Sequence, residues 1–113
     1  ITNAIIHMAN YLTEQDTVLK EQQFICYMPA NSLIKTNHTN KILVQGVADL
    51  IIIKQSEIYL IDYKTSRINN EDKFKQKYKT QLEIYAKAIE SFFNKKVTKK
   101  IIYSFYLDKP III

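Results

Sequence analysis

The chain has 113 residues, 47% hydrophobic and 24% charged, with one Gly and two Pro; this fits one small folded domain dense in regular structure and argues against disorder. A net charge of +5 and a pI near 9.2 permit a polyanionic partner without demanding one. The lone Cys26 excludes an internal disulfide and a four-cysteine metal site and suits a reducing, cytoplasmic setting, and no apolar run reaches the roughly 18 residues of a membrane span.

Residues 2 to 13 place Ile5, Ile6, Ala9, Tyr11 and Leu12 at helical spacing and predict a short amphipathic helix. Val18 to Met28 reads as a strand, and residues 29 to 40 read as a long exposed loop. Two runs rich in β-branched and aromatic residues, Val44 to Ile53 and Ile58 to Tyr63, flank a short polar break and predict a β-hairpin. Both runs are apolar on both faces, which places them centrally and covered on each side. A polar connection from Thr65 to Asp72 leads to a helix from about Lys73 to Phe93. There Phe74, Tyr78, Leu82, Tyr85, Ala88, Ile89 and Phe92 recur every three or four residues. Asn94 and the lysines after it end that helix, with basic side chains at its negative end. Ile101 to Leu107 is the last strand, and Ile111 to Ile113 adds a little more. The order α-β-β-β-α-β predicts a single α/β domain with a mixed β-sheet flanked by helices.

The hairpin concentrates the chemistry. If Lys54 and Glu57 close a two-residue turn over Gln55 and Ser56, opposed residues have numbers that sum to 111, and Asp49 faces Asp62. Their Cβ atoms would lie roughly 4.5–5.5 Å apart, where like charges repel. Lys64, two residues past Asp62, points to the same face. A solvated surface hairpin would tolerate two such acids, but strands this apolar are expected to be buried, and a divalent cation between the acids explains them better. Gln81 and Tyr85 are one turn apart on the long helix and share a face. Gln81 sits beside the apolar stripe and needs a partner, either a core backbone group or the metal site.

Glu21, Gln45-Gly46-Val47-Ala48-Asp49, Ile61-Asp62-Tyr63-Lys64-Thr65 and Gln81-Leu82-Glu83-Ile84-Tyr85-Ala86 together resemble the PD-(D/E)xK nucleases of the RecB type. Within that family the resemblance is nearest to the C-terminal nuclease domain of a bacterial helicase–nuclease, and it covers roughly Leu12 to Ile113. It implies a restriction-endonuclease-like core and a metal-dependent DNA exonuclease that hydrolyses phosphodiester bonds in double-strand-break repair and recombination. Asp49 and Asp62 would ligate Mg²⁺, with Mn²⁺ able to substitute, and Tyr63 would lend its carbonyl. Lys64 would be the catalytic lysine, Gln81 and Tyr85 would face the site and the DNA, and Glu21 would be a peripheral acid. The implied partners are DNA, a fused helicase domain and a second nuclease/helicase subunit, with this chain a C-terminal piece of the larger polypeptide. A stand-alone restriction or phage-type nuclease would share the same core, and a catalytically incomplete DNA-docking domain is the non-enzyme alternative.

One departure stands out. Family members add a metal-binding His from a helix well upstream of the first strand, whereas His7 is only fourteen residues before Glu21 and reads as an ordinary helix histidine. That ligand is then expected before Ile1. His38 falls in the loop and reads as solvated. Arg67, the single arginine, follows the catalytic strand and is the best candidate for a phosphate contact. Lys73 and Lys77 open the long helix among alternate lysines and are further candidates, although a solvated face explains such lysines equally well.

Overall fold

In the computed structural model, which describes residues 9–113, the hairpin over Gln55 and Ser56 forms in the expected register. Strand β2 (Lys41–Ile53) pairs antiparallel with β3 (Glu57–Lys64), Leu50 opposite Ile61 and Ile53 opposite Ile58. The Lys54 N–H donates to the Glu57 carbonyl at 2.8 Å across the turn. Strand β1 (Thr17–Pro29) lies antiparallel on the free edge of β2, and the one-turn helix α1 (Ala30–Leu33) begins the connection between them. From the end of β3 the long helix α2 (Glu71–Phe93) carries the chain back to β4 (Lys96–Ser104), which runs parallel to β3. Strand β5 (Lys109–Ile112) closes the far edge antiparallel to β4, giving a mixed five-stranded sheet in the order β1-β2-β3-β4-β5.

Helix α2 starts where its capping chemistry says it should. The Asn70 side chain accepts the Lys73 N–H at 3.1 Å, and Glu71 and Asp72 place negative charge in the first turn. Asn94 ends the helix in the left-handed conformation, φ 54°. Its apolar stripe, with Phe74, Leu82, Ala88 and Ile89 fully buried, packs on Ile51, Ile58, Leu60, Ile102 and Ile111 of the sheet. The opposite face of the sheet buries Leu50, Ile52, Ile61, Ile101 and Tyr103, with Tyr11, Val18, Tyr59, Tyr63 and Phe105 packed around them. Burial on both faces is why the two central runs read as continuously apolar.

Several boundaries differ from expectation. The last long strand begins at Lys96 rather than Ile101, because Lys96 to Lys100 pair with the start of β3 and Thr98 bonds the Glu57 carboxylate. Phe105 to Leu107 form the turn into β5 instead of extending β4. The loop after β1 contains α1. Most of the helix expected over residues 2 to 13, His7 included, lies outside the described residues; at its end the Leu12 N–H donates to the Ala9 carbonyl at 3.2 Å.

A further feature of β1 and β2 has no counterpart in the sequence pattern. In β1, Leu19 packs on the α2 side of the sheet, and so do Phe24, Cys26 and Met28, although strict alternation from Leu19 would turn those three away. In β2, Val44 and Ala48 face α2, yet so do Ile51 and Ile53, while Leu50 and Ile52 face the other way. Both strands therefore exchange faces at the same place. The ladder pairs Lys20 with Leu50 and Gln22 with Ala48, and the residues it skips are Glu21 and Asp49. Glu21 has φ 49°, a left-handed backbone that a side chain of this type rarely adopts.

Candidate active site

The β2–β3 ladder stops at Leu50 and Ile61, one step short of the two aspartates. Beyond it, the Asp49 side chain takes over the role of the missing strand partner: its Oδ2 accepts the Tyr63 backbone N–H at 2.8 Å. Asp62 is buried, 7% exposed, on the α2 face of β3, with its carboxyl group within hydrogen-bonding reach of Asp49. Burial, then the Asp49 carboxylate, push the Asp62 carboxyl from 3.8 up to about 6, against the opposing pull of Lys64. The Tyr63 phenol is raised as well, by burial first and by Asp49 second.

Lys64 lies on the same face as Asp62, as two-residue spacing requires. Its ammonium is 3.0 Å from Asp62 Oδ2 and 3.3 Å from Gln81 Oε1. Gln81 is exposed on α2, so its partner is the site lysine rather than a core backbone group. Five of the residues singled out in the sequence (Asp49, Asp62, Tyr63, Lys64 and Gln81) thus converge at the C-terminal end of β3.

The others are placed as follows. Glu21 lines a cleft of about 250 Å³ together with Lys20, Asp49, Leu50 and Tyr63, on the β1 side of the aspartates. Among the described residues no three His, Cys, Asp or Glu side chains gather closely enough to hold one ion, so Glu21 borders the pair without joining it. Tyr85 is half-buried, edge-on to Phe24 with centroids 4.9 Å apart, and its phenol reaches over Gly46. It packs helix to sheet there. Arg67 and Lys73 are exposed, on the β3–α2 connection and on the first turn of α2. Lys77 is also exposed, with its ammonium 5.3 Å from the centroid of the Tyr78 ring. His38 is exposed in the β1–β2 connection, where its backbone N–H donates to Thr36 Oγ1 at 3.2 Å.

Two residues at the site, Tyr78 and Ser66, were not singled out for chemistry in the sequence. The Tyr78 ring lies 4.7 Å from the Lys64 ammonium, and its hydroxyl bonds that of Ser66. Tyr78 is visible in the sequence only as one member of an apolar stripe; its place three residues before Gln81 is the available signal. A larger cavity of about 720 Å³, lined by Gln22, Phe24, Gly46 and Phe92 among others, has no ionisable side chain in its wall and so no evident chemistry.

The donor set suits a hard divalent cation. Two carboxylates, each with oxygens to offer, are forced together against their mutual repulsion, where burial first and the neighbouring acid second raise Asp62. A cation between them would relieve that repulsion.

Known proteins resemble this chain along most of its length. The model of the PD-(D/E)XK nuclease superfamily matches residues 3–111. An ATP-dependent helicase/nuclease subunit from Ligilactobacillus salivarius (strain UCC118) is 40% identical over 105 residues, covering 90% of this chain and 8% of that protein. The corresponding protein from Clostridium botulinum (strain Alaska E43 / Type E3) is 45% identical over 82 residues, covering 73% of this chain and 7% of its own length. That of Clostridium beijerinckii (strain ATCC 51743 / NCIMB 8052) is 48% identical over 73 residues, 63% of this chain and 6% of the relative. The chain therefore spans less than a tenth of the length of these relatives.

Proposed function

Because the chain belongs to the PD-(D/E)XK nuclease superfamily, we propose that it is the DNA-cleaving domain of an ATP-dependent helicase–nuclease, an exonuclease that hydrolyses phosphodiester bonds in double-strand-break repair and recombination. The observation that carries this reading is the pairing of Asp49 with Asp62 beside a lysine that Asp62 and Gln81 hold from two sides. Asp49, Asp62 and the Tyr63 carbonyl would hold Mg²⁺, with Mn²⁺ able to substitute. Bound there, the ion would lower the pKa of a water and neutralise charge on the scissile phosphate.

The remaining work falls to the chain's own side chains. Lys64 keeps an N–H beyond the two given to Asp62 and Gln81, and it directs that donor at the attacking water or at charge developing on the phosphate. Gln81, with its carbonyl on Lys64, turns its NH₂ toward a phosphate oxygen. Arg67, Lys73 and Lys77 contact the backbone of the DNA without reading its sequence. Tyr85 supports the site by packing α2 on the β1–β2 ribbon, and Glu21 supplies a further negative group at the rim of the cleft.

The test is cleavage of linear DNA by purified protein with Mg²⁺ or Mn²⁺, alongside calorimetric titration of Mn²⁺. Asp62→Ala and Lys64→Ala should each abolish cleavage with the circular dichroism spectrum unchanged. Full activity in Asp62→Ala sinks the proposal, and DNA binding without any metal binding would point to a docking domain instead.

A further inference from the structure

Lys64 is held on three sides, and Asp62 and Gln81 account for only two of them. The third is the face of Tyr78, whose ring centroid lies 4.7 Å from the ammonium. Tyr78 precedes Gln81 by three residues, so both side chains leave the same face of α2 toward β3. The ring is itself fixed: it packs on Phe74 with centroids 5.1 Å apart, and its hydroxyl bonds Ser66 in the β3–α2 connection. Lys77 approaches the same ring at 5.3 Å from the centroid. Its like charge makes that side unfavourable for Lys64 to swing toward.

We infer that Tyr78 is a positioning residue for Lys64, its ring face fixing the ammonium between Asp62 and Gln81. A lysine head on a four-carbon stem has many rotamers, and two acceptors alone leave it free to pivot about the line between them. The negative face of an aromatic ring closes that freedom, an attraction worth roughly two- to thirtyfold in the population of the ordered head. Misplacing a catalytic group by about 1 Å can cost far more in rate than in binding. The catalytic consequence rests on the nuclease reading above, whereas the ring–ammonium contact exists whether or not the chain cleaves DNA.

Three forms of the protein decide the matter: wild type, Tyr78→Phe and Tyr78→Leu. A proton above an aromatic ring is shifted upfield, so the Lys64 Hε resonances should lie upfield in wild type and in Tyr78→Phe and return to ordinary lysine values in Tyr78→Leu. On linear DNA with Mg²⁺, Tyr78→Leu should lower kcat by about tenfold or more with KM little changed, while Tyr78→Phe stays within about threefold of wild type. Tyr78→Leu with wild-type kcat, or with the upfield shift retained, overturns the assignment. A Tyr78→Phe variant that loses the upfield shift overturns it too, even if Tyr78→Leu fails to fold, because the hydroxyl bond to Ser66 would then be the part that matters. A wild type that neither cleaves DNA nor binds Mn²⁺ sinks the nuclease reading, and the resonances alone then decide whether Tyr78 holds Lys64.

Discussion

Asp62 holds its proton more tightly than a free aspartate does. Burial and the neighbouring Asp49 carboxylate raise it from 3.8 to about 6, so between those values the folded chain holds a proton that the unfolded chain has released. Stability from this group is therefore fully present below about pH 4 and is lost as pH rises through about 6. Asp62→Asn, studied in chelator by urea denaturation, should be more stable than wild type at pH 7 to 8 by on the order of 1 kcal/mol, a figure discounted for solvent at the mouth of the site. Near pH 3.5 the advantage should vanish; equal advantages at both pH values would refute carboxylate repulsion and burial as the cause. At this scale the acids were legible because they interrupt runs that would otherwise be wholly apolar, and Lys64 followed from two-residue spacing. Tyr78 was not legible, since an aromatic ring in an apolar stripe reads as core whether or not a cation lies on it. Nor was the left-handed backbone of Glu21, for a non-glycine residue carries no mark of positive φ.

Helix α2 is tied to β1 and β2 by a close approach. A Cβ at Gly46 would stand 2.7 Å from Tyr85 Cζ and Oη and 3.0 Å from Phe24 Cζ, so the single glycine of the chain lies where a phenol crosses the strand. Gly46→Ala should cost about 1–3 kcal/mol in urea denaturation, the usual penalty of overpacking. Tyr85→Ala should recover part of that penalty, with a coupling of about 0.5 kcal/mol or more between the two sites, and strict additivity would show that the phenol is not what the methyl meets. The hairpin register was legible because a two-residue turn leaves one pairing. The exchange of faces at Glu21 and Asp49 was not, since it occurs in both strands at once and leaves their mutual register unbroken. The early start of β4 was hidden for a different reason. Its first residues, Val97 apart, are lysines and a threonine, and hydropathy cannot tell such a run from a loop.

At the scale of the molecule, the site forms where the end of β3, the connection after it and the first half of α2 come together beside a ladder that has just ended. Anything that binds there only in the folded state must stabilise the whole domain. At about a hundredfold excess over its dissociation constant, Mn²⁺ or Mg²⁺ should raise Tm by on the order of 10 °C, which a thermal melt would read directly. Asp62→Asn should lose most of that rise, and a metal response equal to wild type in the variant would place the ion elsewhere. The fold class was readable from the alternation of elements, and the parallel return of β4 followed from the length of α2. The bond between Asp49 and the Tyr63 amide draws a distinction that no reading of the acids as a matched pair contains. One aspartate stitches two diverging strands, and its loss would leave a backbone donor bare. The other presses on its neighbour, and its loss would let the strands settle. Two residues that a catalytic diagram would draw as twins thus pull the fold in opposite directions.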